Sequence, residues 1–322
     1  MIPLVVIVGP TASGKTDLSI RLAERLQGEI VSADSRLFYR GMDIGTAKPS
    51  PEERARAPHH LIDVADPDET WSLAAFQQAA HAVIADIHAC GKVPFLVGGT
   101  GQYIRAVTHG WCPPAVAPWP RLRSVLERLA GQHSPFWLHE KLALLDPTAA
   151  GAIDPRNLRR TIRAFEVIFA TGYPFSAQRR RIAPRYALLT IGLHWPRPTL
   201  YERIDARIEN MFAQGLLEET QRLLARGYSP DLPPLSAIGY RQCIAVLRNE
   251  LTLEQAKAEM RRLTRAFVRR QDNWFRRTDP NIRWFNAEST PLEEIEAAIQ
   301  AFLSDQGRLT PRESPVRERR MG

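Results

Sequence analysis

The fold is decided by the stretch Gly9-Pro10-Thr11-Ala12-Ser13-Gly14-Lys15-Thr16, which fits the pattern G-x-x-x-x-G-K-[ST] of a phosphate-binding P-loop. Ahead of it runs Ile2–Val8, an apolar stretch typical of a buried parallel strand. Behind it, Leu18, Leu22 and Leu26 recur every four residues, which indicates a helix. A P-loop needs this order of strand, glycine loop and helix, because backbone N–H groups then point at an anion. The context therefore disfavours a chance match.

Two side chains of this loop carry specific chemistry. Lys15 supplies a positive charge for a phosphate, and Thr16 supplies a hydroxyl for a phosphate-bound Mg²⁺, the cofactor that we expect. The loop alone does not distinguish a phosphate group that is transferred from one that leaves. A nucleotide or small-molecule kinase is therefore one reading, and an RNA-binding module with a degenerate nucleotide site is another.

Strands and helices alternate over roughly the first third of the chain. After the P-loop helix, the pattern predicts a strand over 29–34, a helix over Leu73–Ala89 and a buried strand over Val93–Val97. The stretch Tyr186–Leu193 has the pattern of a further strand. This alternation predicts an α/β fold with a doubly wound parallel sheet, whose ligands bind at the carboxyl ends of the strands.

Polar residues follow two of these strands at that same edge. Asp34 could hold Mg²⁺ or act as a general base, and its alternative is a cap on the next helix. Thr100, within Gly98-Gly99-Thr100-Gly101, could hydrogen-bond a base or a phosphate, and its alternative is a turn residue. The glycines around it allow a ligand to approach the backbone closely.

The character of the chain changes at the proline-rich stretch 112–120, and helical patterns follow it. We therefore predict a helical insertion domain over 112–185 within a core formed by 1–111 and 186–303. The segment 304–322 is polar, charged and interrupted by prolines, and we predict that it is disordered.

Composition narrows the function class. The 322 residues carry a net charge of +8, which favours a polyanionic partner. Three widely separated cysteines indicate neither a disulfide framework nor a metal cluster. Neither a leader segment nor a membrane-spanning run is recognisable. We expect a cytoplasmic protein, monomeric and with no membrane partner.

Arginines cluster on two predicted helices. The first cluster is Arg156–Arg163 in the insertion, and the second lies on a helix predicted over Leu253–Arg276, whose last turn includes Trp274 and Phe275. Arginines beside aromatic rings suit a nucleic-acid backbone with stacked bases. The alternative is a solvated charged helix, although the second helix offers only Glu259 as a partner at the usual spacing.

Taken together, these motifs resemble those of the bacterial tRNA dimethylallyltransferase family. The match runs in the family's order from the first strand to about residue 285. The motifs that carry it are G-P-T-A-S-G-K-T at 9–16, A-D-S at 33–35, Y-R-G-M-D-I-G-T-A-K-P at 39–49, H-H-L-I-D at 59–63, G-G-T-G-x-Y at 98–103, R-x-x-L-Y-E-R-I-x-x-R at 197–207, I-G-Y-R at 238–241 and R-R-Q-x-x-W-F-R at 269–276.

The resemblance implies a reaction and its partners. Dimethylallyl diphosphate would donate its five-carbon group to N6 of the adenosine immediately 3′ of the anticodon in tRNA, and diphosphate would leave. Residues 9–16 would bind the diphosphate, so ATP need not be consumed even though the motif reads as ATP-binding. Asp34 would be the general base, Thr100 would contact the adenosine, and Arg207 would neutralise the diphosphate.

The resemblance also implies contacts with the anticodon stem-loop. These residues are Asp34, Ser35, Arg36, Leu37, Arg123, Arg159, Arg160, Arg163, Gly239, Tyr240, Arg241, Arg269, Arg270, Gln271, Trp274 and Arg276, with Ser236 as a looser match. Two positions depart from the family's pattern. Leu37 stands where many members carry Gln, and Gln102 stands where many carry an apolar residue, so contacts beside the target base could differ.

Overall fold

A computed structural model of the chain describes residues 1–114, 116–134, 136–178, 180–181, 183 and 185–307. The chain forms two compact units, Met1–Thr108 with the chain from Arg185 onward, and His109–Pro184. The insertion predicted over 112–185 falls almost wholly within the second unit, and its grip on tRNA stays a prediction. Of the tail predicted over 304–322, the part from 308 lies outside the described residues.

The first unit is built on a parallel sheet of six strands in the order β3-β2-β4-β1-β7-β8. A second, two-stranded antiparallel sheet, β5-β6, belongs to the second unit. The strands are β1 (Ile2–Val8), β2 (Gly28–Ser32), β3 (His59–His60), β4 (Val93–Gly98), β5 (Trp111–Cys112), β6 (Arg180–Arg181), β7 (Tyr186–His194) and β8 (Ile282–Asn286). The predicted α/β class with a doubly wound parallel sheet is confirmed, and β8 is a strand that the sequence pattern did not reveal.

Helices flank this sheet and also make up most of the second unit. Helices α5 to α8 belong to the second unit and the others to the first. Their bounds are α1 (Lys15–Leu26), α2 (Pro51–Arg56), α3 (Leu73–Ala89), α4 (Gly101–Thr108), α5 (Pro120–Gln132), α6 (Trp137–Leu145), α7 (Pro147–Ala152), α8 (Leu158–Thr171), α9 (Arg197–Ala213), α10 (Leu216–Ala225), α11 (Tyr240–Leu247), α12 (Leu253–Asp272) and α13 (Leu292–Asp305).

Two helix ends differ from the sequence prediction. Helix α12 ends at Asp272 and not at Arg276. The chain tightens there, with the Trp274 N–H donating to the Gln271 carbonyl three residues earlier, and Phe275 is buried in the core beside the sheet. Arg276 therefore lies beyond the helix and off its arginine face. Helix α13 continues to Asp305, so the first residues of the predicted tail are helical, held by the burial of Leu303.

Apolar burial on both faces explains the central strands. Residues 3–8 of β1 are all buried, as expected of a strand covered by helices on either side. Because neighbouring strands run parallel, the loops after β1, β2, β4 and β7 meet at one edge of the sheet. A search of the described helices finds none that is long and apolar enough to cross a bilayer.

Candidate active site

The P-loop connects β1 to α1, and Lys15 is the first residue of the helix. Gly14 directly before it has φ of +90°, a left-handed conformation that side chains strongly disfavour, so glycine is needed there. The first backbone N–H groups of a helix have no partner within the helix, and they face the loop. The local geometry therefore suits the anion site that the sequence predicts.

Side chains from distant parts of the chain hold this loop in place. Trp195 donates its indole N–H to the Ser13 carbonyl at 3.0 Å, and Arg203 donates to the Ala12 carbonyl at 3.0 Å. The two side chains also stack, with the guanidinium 4.2 Å from the ring centre. Sequence reasoning missed both residues. The available signal was the position of Trp195, directly after β7 at the ligand-binding edge.

Lys15 lies among the carbonyl groups of its own loop. Its ammonium donates to the Gly9 carbonyl at 3.0 Å and to the Pro10 carbonyl at 2.7 Å. The pKa of Lys15 is lowered to about 8, mainly by burial and in smaller part by the positive charge of Arg207, while the negative charge of Asp34 acts in the opposite direction. In the free protein, the Lys15 ammonium therefore loses its proton more easily than an ordinary lysine does, and a bound anion would raise its pKa again.

Asp34 follows β2 and its neighbour Ala33, as the sequence predicts. One carboxylate oxygen accepts the backbone N–H of Arg36 at 3.1 Å, which stabilises a local turn. No side chain of the described residues donates a hydrogen bond to this carboxylate. Asp34 lines a cavity of about 670 Å³, so it is accessible to a ligand there.

Arg207 on α9 completes this group of charges. Burial lowers the pKa of its guanidinium, while the negative charge of Asp34 acts in the opposite direction. Within the described part of the chain, its guanidinium has no hydrogen-bond acceptor. Lys15, Asp34 and Arg207 thus influence one another electrostatically without forming a closed ion pair.

Two cavities border these residues. The first contains the three predicted catalytic side chains, Asp34, Thr100 and Arg207. The second, of about 750 Å³, contains Thr16 of the P-loop. Arg207 and Met211 line both, so the two cavities are neighbours separated at these side chains.

Comparison with known proteins points to one family. The family described as IPP transferase matches residues 37–278, and the one described as isopentenyl transferase matches residues 2–62. The tRNA dimethylallyltransferase of Roseiflexus sp. (strain RS-1) is 56% identical over 93% of this chain and 98% of its own length. The chain belongs to the IPP transferase, or tRNA dimethylallyltransferase, family.

Solved structures of the family have the same fold. The tRNA isopentenylpyrophosphate transferase of Bacillus halodurans is 41% identical, with a TM-score of 0.71 over 96% of this chain and 99% of that one. A eukaryotic dimethylallyltransferase acting on tRNA is 25% identical, with a TM-score of 0.77 over 97% of this chain and 82% of that one.

In this family member, several predicted tRNA contacts surround the first cavity. Gln102, where many members are apolar, also lines it and is exposed. The predicted contacts that line the cavity are Asp34, Ser35, Arg36, Ser236, Arg241, Arg270, Gln271 and Trp274. Leu37, Gly239, Arg269 and Arg276 do not line it, although both arginines are exposed.

Tyr240 and Gln271 have internal partners. Tyr240 is completely buried and donates its hydroxyl to Glu219 at 2.7 Å, so its side chain is not open to tRNA. Gln271 is 5% exposed and joins the two active-site loops: it accepts the Thr11 N–H at 3.0 Å and donates to the Gly99 carbonyl at 3.0 Å. It therefore ties α12 to the P-loop.

Four of the five arginines of α12 fall into two groups, and the fifth, Arg262, lies 3.8 Å from Glu259 of the same helix. Arg261 forms an ion pair with Glu209, and Arg265 pairs with Asp205 at 2.6 Å. Both partners lie on α9, so these arginines fasten one helix to another. Arg269 and Arg270, by contrast, are exposed and have no carboxylate partner among the described residues.

In the second unit, the predicted contacts divide in the same way. Glu166 is fully buried and binds Arg123 at 3.0 Å and Arg163 at 3.3 Å. Arg159 is exposed and has no partner in the described part of this unit, and Arg160 is exposed too. Arg123 and Arg163 therefore help to hold this unit together, whereas Arg159 and Arg160 lie on its exposed surface.

The family requires a divalent metal, and the P-loop side of the site fits one. The Thr16 hydroxyl lines the second cavity and has no hydrogen-bond partner in the described part of the chain. Among those residues there is no group of three or more His, Cys, Asp or Glu side chains that would form a protein-only metal site. A hard cation that takes most of its ligands from phosphate and water suits this arrangement.

Proposed function

We propose that this protein transfers the dimethylallyl group from dimethylallyl diphosphate to N6 of the adenosine immediately 3′ of the tRNA anticodon, releasing diphosphate. One observation carries the proposal. Asp34, Thr100 and Arg207 line one cavity, and Arg207 also lines the neighbouring cavity that contains Thr16 of the P-loop. A base for the acceptor and cations for the leaving group thus lie side by side.

The adenine would occupy the first cavity. An exocyclic adenine amine is a weak nucleophile, so a carboxylate that accepts its proton assists attack. The N6 lone pair forms a bond to C1 of the prenyl group, the C1–O bond breaks, and its electron pair leaves with the diphosphate. Asp34 takes the N6 proton, and Thr100 would hold the adenine after it turns out of the anticodon-loop stack.

The diphosphate would lie at the P-loop. Lys15, Arg207 and the loop's N–H groups stabilise the negative charge that grows on the leaving group, and they act most strongly in the transition state. Mg²⁺, held by the Thr16 hydroxyl, would add a positive charge to the diphosphate. We further propose that the protein acts as a monomer in the cytoplasm, and sedimentation with and without tRNA tests the oligomeric state.

A P-loop kinase is the alternative, and no specific observation favours it. Incubation with dimethylallyl diphosphate and bulk tRNA separates the two. We expect diphosphate release, and a tRNA nucleoside whose mass has increased by one five-carbon unit. Incubation with radiolabelled ATP should give no transfer of its γ-phosphate. Phosphate transfer without prenylated nucleoside would refute the proposal.

A further inference from the structure

A buried carboxylate on α10 holds a loop beside both cavities. Oε2 of Glu219 accepts the backbone N–H of Asp43 at 3.0 Å and that of Ile44 at 2.9 Å. Its Oε1 accepts the N–H of Gly45 at 3.2 Å and the hydroxyl of Tyr240 at 2.7 Å. Glu219 is only 4% exposed, and these donors satisfy both of its oxygens.

The same loop is held a second time from its other end. Lys48 donates to the Tyr39 carbonyl at 2.9 Å and forms ion pairs with Asp43 at 2.5 Å and Asp63 at 2.6 Å. Its side chain is 3% exposed. Asp43 is therefore fixed twice, through its carboxylate by Lys48 and through its backbone by Glu219.

Gly45 packs directly on the Tyr240 ring. A Cβ atom there would lie 2.6 Å from two ring carbons, so the loop can approach α11 this closely only because the residue is glycine. Burial raises the pKa of Tyr240, and the nearby negative charge of Glu219 raises it further. The hydroxyl consequently stays protonated and remains a donor to Glu219.

This loop borders both substrate cavities. Gly45 and Thr46 line the cavity of Asp34, whereas Ile44 and Ala47 line the cavity of Thr16. Only Arg207 and Met211 are shared by both linings. A shift of the 43–47 backbone would therefore change the shape of both cavities at once.

We infer that Glu219 is a positioning residue for prenyl transfer. By fixing the N–H groups of Asp43, Ile44 and Gly45, it sets the distance between the prenyl carbon at the P-loop and the adenine beside Asp34. The inference rests on the proposed function. Reacting atoms must approach to about 3–3.5 Å, and a displacement of about 1 Å can lower a rate about 100-fold.

A glutamine at this position tests the inference. Glu219→Gln keeps the shape, but it turns an N–H₂ donor toward backbone N–H donors, which only an acceptor can satisfy. Tyr240→Phe removes one hydroxyl and leaves the backbone bonds intact. Glu218→Gln is the matched control, because Glu218 is the exposed neighbour on the same helix.

Two measurements decide the outcome. In Glu219→Gln, we expect faster hydrogen exchange at the amides of Asp43, Ile44 and Gly45. We also expect a single-turnover rate that is about 10- to 100-fold lower at saturating substrates. The affinity for tRNA should change less than about twofold, since Arg159, Arg269 and Arg270, the open arginines proposed to bind its phosphates, lie on α8 and α12 and not on this loop. Tyr240→Phe should show a smaller loss in the same direction, and Glu218→Gln should match the wild type.

The exchange and rate measurements separate the possible failures. Normal exchange at these amides, or faster exchange with an undiminished single-turnover rate, would overturn the inference. Circular dichroism at the assay temperature shows whether Glu219→Gln is folded. If it is not, both measurements are made on Glu219→Asp, which keeps the charge but withdraws the carboxylate by one methylene, and normal exchange at the three amides or an undiminished rate in that variant overturns the inference instead. A wild type that prenylates no tRNA would refute the proposed function, while the exchange data would still show whether Glu219 holds the loop.

Discussion

Two carboxylates in this molecule, Glu166 and Asp34, each lie near two cationic side chains. Glu166 forms ion pairs with its two cations, whereas Asp34 does not. Glu166 in the second unit binds Arg123 at 3.0 Å, Arg163 at 3.3 Å and the N–H of Trp119 at 3.0 Å. Asp34 in the first unit is coupled to Lys15 and Arg207 through space only. Among the described residues, the Asp34 carboxylate accepts a hydrogen bond only from the backbone N–H of Arg36.

The difference separates structure from chemistry. A buried carboxylate whose cations contact it has its hydrogen bonds satisfied within the protein and can only hold elements together. A carboxylate whose cations bind elsewhere keeps its lone pairs for a proton, and its cations keep their charge for an anion. A combination of one carboxylate and two cations therefore stabilises packing around Glu166 and, in our proposal, supports catalysis around Asp34.

The largest effect is expected at Asp34. Asp34→Asn keeps the shape and removes the proton acceptor, so the single-turnover rate should fall by roughly 10²- to 10⁴-fold. The affinity for tRNA and the urea midpoint should stay close to the wild type, because no cation contacts this carboxylate. Loss of donor binding with a normal rate at saturation would instead make Asp34 a metal-site residue.

Glu166→Gln should have the opposite signature. Removing the charge weakens the hydrogen bonds from Arg123 and Arg163, whose side chains are 42% and 27% exposed and so stay partly hydrated. The free energy of unfolding should therefore fall by about 1.5–3 kcal/mol, the usual range for hydrogen bonds to a charged group. Urea denaturation followed by fluorescence measures this loss. Asp154→Asn is the matched control in the same unit, since its pair with Arg156 is exposed to solvent and should contribute little to stability.

The pH dependence of this loss has a definite sign. Burial alone would raise the pKa of Glu166, but hydrogen bonds from the Trp119 N–H and Arg123 outweigh it and hold the pKa below the ordinary 4.5. The stabilisation is therefore complete above pH 4.5 and disappears as the pH falls through the lower value of the folded state. An unfolding free-energy difference that is constant with pH would contradict this account.

The sequence predicts one of these two carboxylates and not the other. Asp34 is recognisable because it follows a predicted strand at the edge where the P-loop lies. Glu166 gives no such signal, because Arg123 lies 43 residues earlier in the chain and only folding brings them together. In the same way, Asp205 on α9 is 60 residues from Arg265 on α12. A search for acidic partners within the helix that carries Arg265 therefore does not find it.

The sequence predicts more of the fold than of the active site. The central strands and most helices follow from periodicity, because their apolar faces are continuous in sequence. Strand β8 is only partly buried and short, so its pattern is weak. The supports of the P-loop, Trp195, Arg203 and Gln271, act through contacts over 172 residues or more, which periodicity does not report.

The lowered pKa of Lys15 predicts a smaller effect, a decrease of donor affinity at high pH. With a pKa of about 8, the free protein loses this charge as the pH rises above 8, whereas bound diphosphate favours the charged form. Donor affinity should therefore be constant below pH 8 and fall by up to about tenfold per pH unit above it. Calorimetric titration with dimethylallyl diphosphate between pH 7 and 10 measures this slope.

Lys15→Arg is the control for that slope. The guanidinium stays charged throughout this range, so the decrease above pH 8 should disappear even if the affinity itself is weaker. Ionisation of the donor is common to both proteins and cancels in their ratio. A decrease of equal steepness in both would assign the titration to another group.

The smallest effects are expected at the arginines, which also divide into those that pair with a protein carboxylate and those that are open to solvent. Arg159, Arg269 and Arg270 have no carboxylate partner within the described residues, whereas Arg163 and Arg265 do. Each open arginine that contacts a tRNA phosphate should, as alanine, reduce the slope of log K against log salt by about 0.7–0.9. Affinity should fall equally for all tRNAs, because phosphate contacts position an RNA without reading its sequence.

Arg163→Ala and Arg265→Ala should leave the slope unchanged and lower stability instead, since their guanidinium groups already neutralise a protein carboxylate. Titration of labelled tRNA over a salt series measures both classes. Equal slopes in all five variants would mean that a carboxylate partner does not decide which arginines bind tRNA.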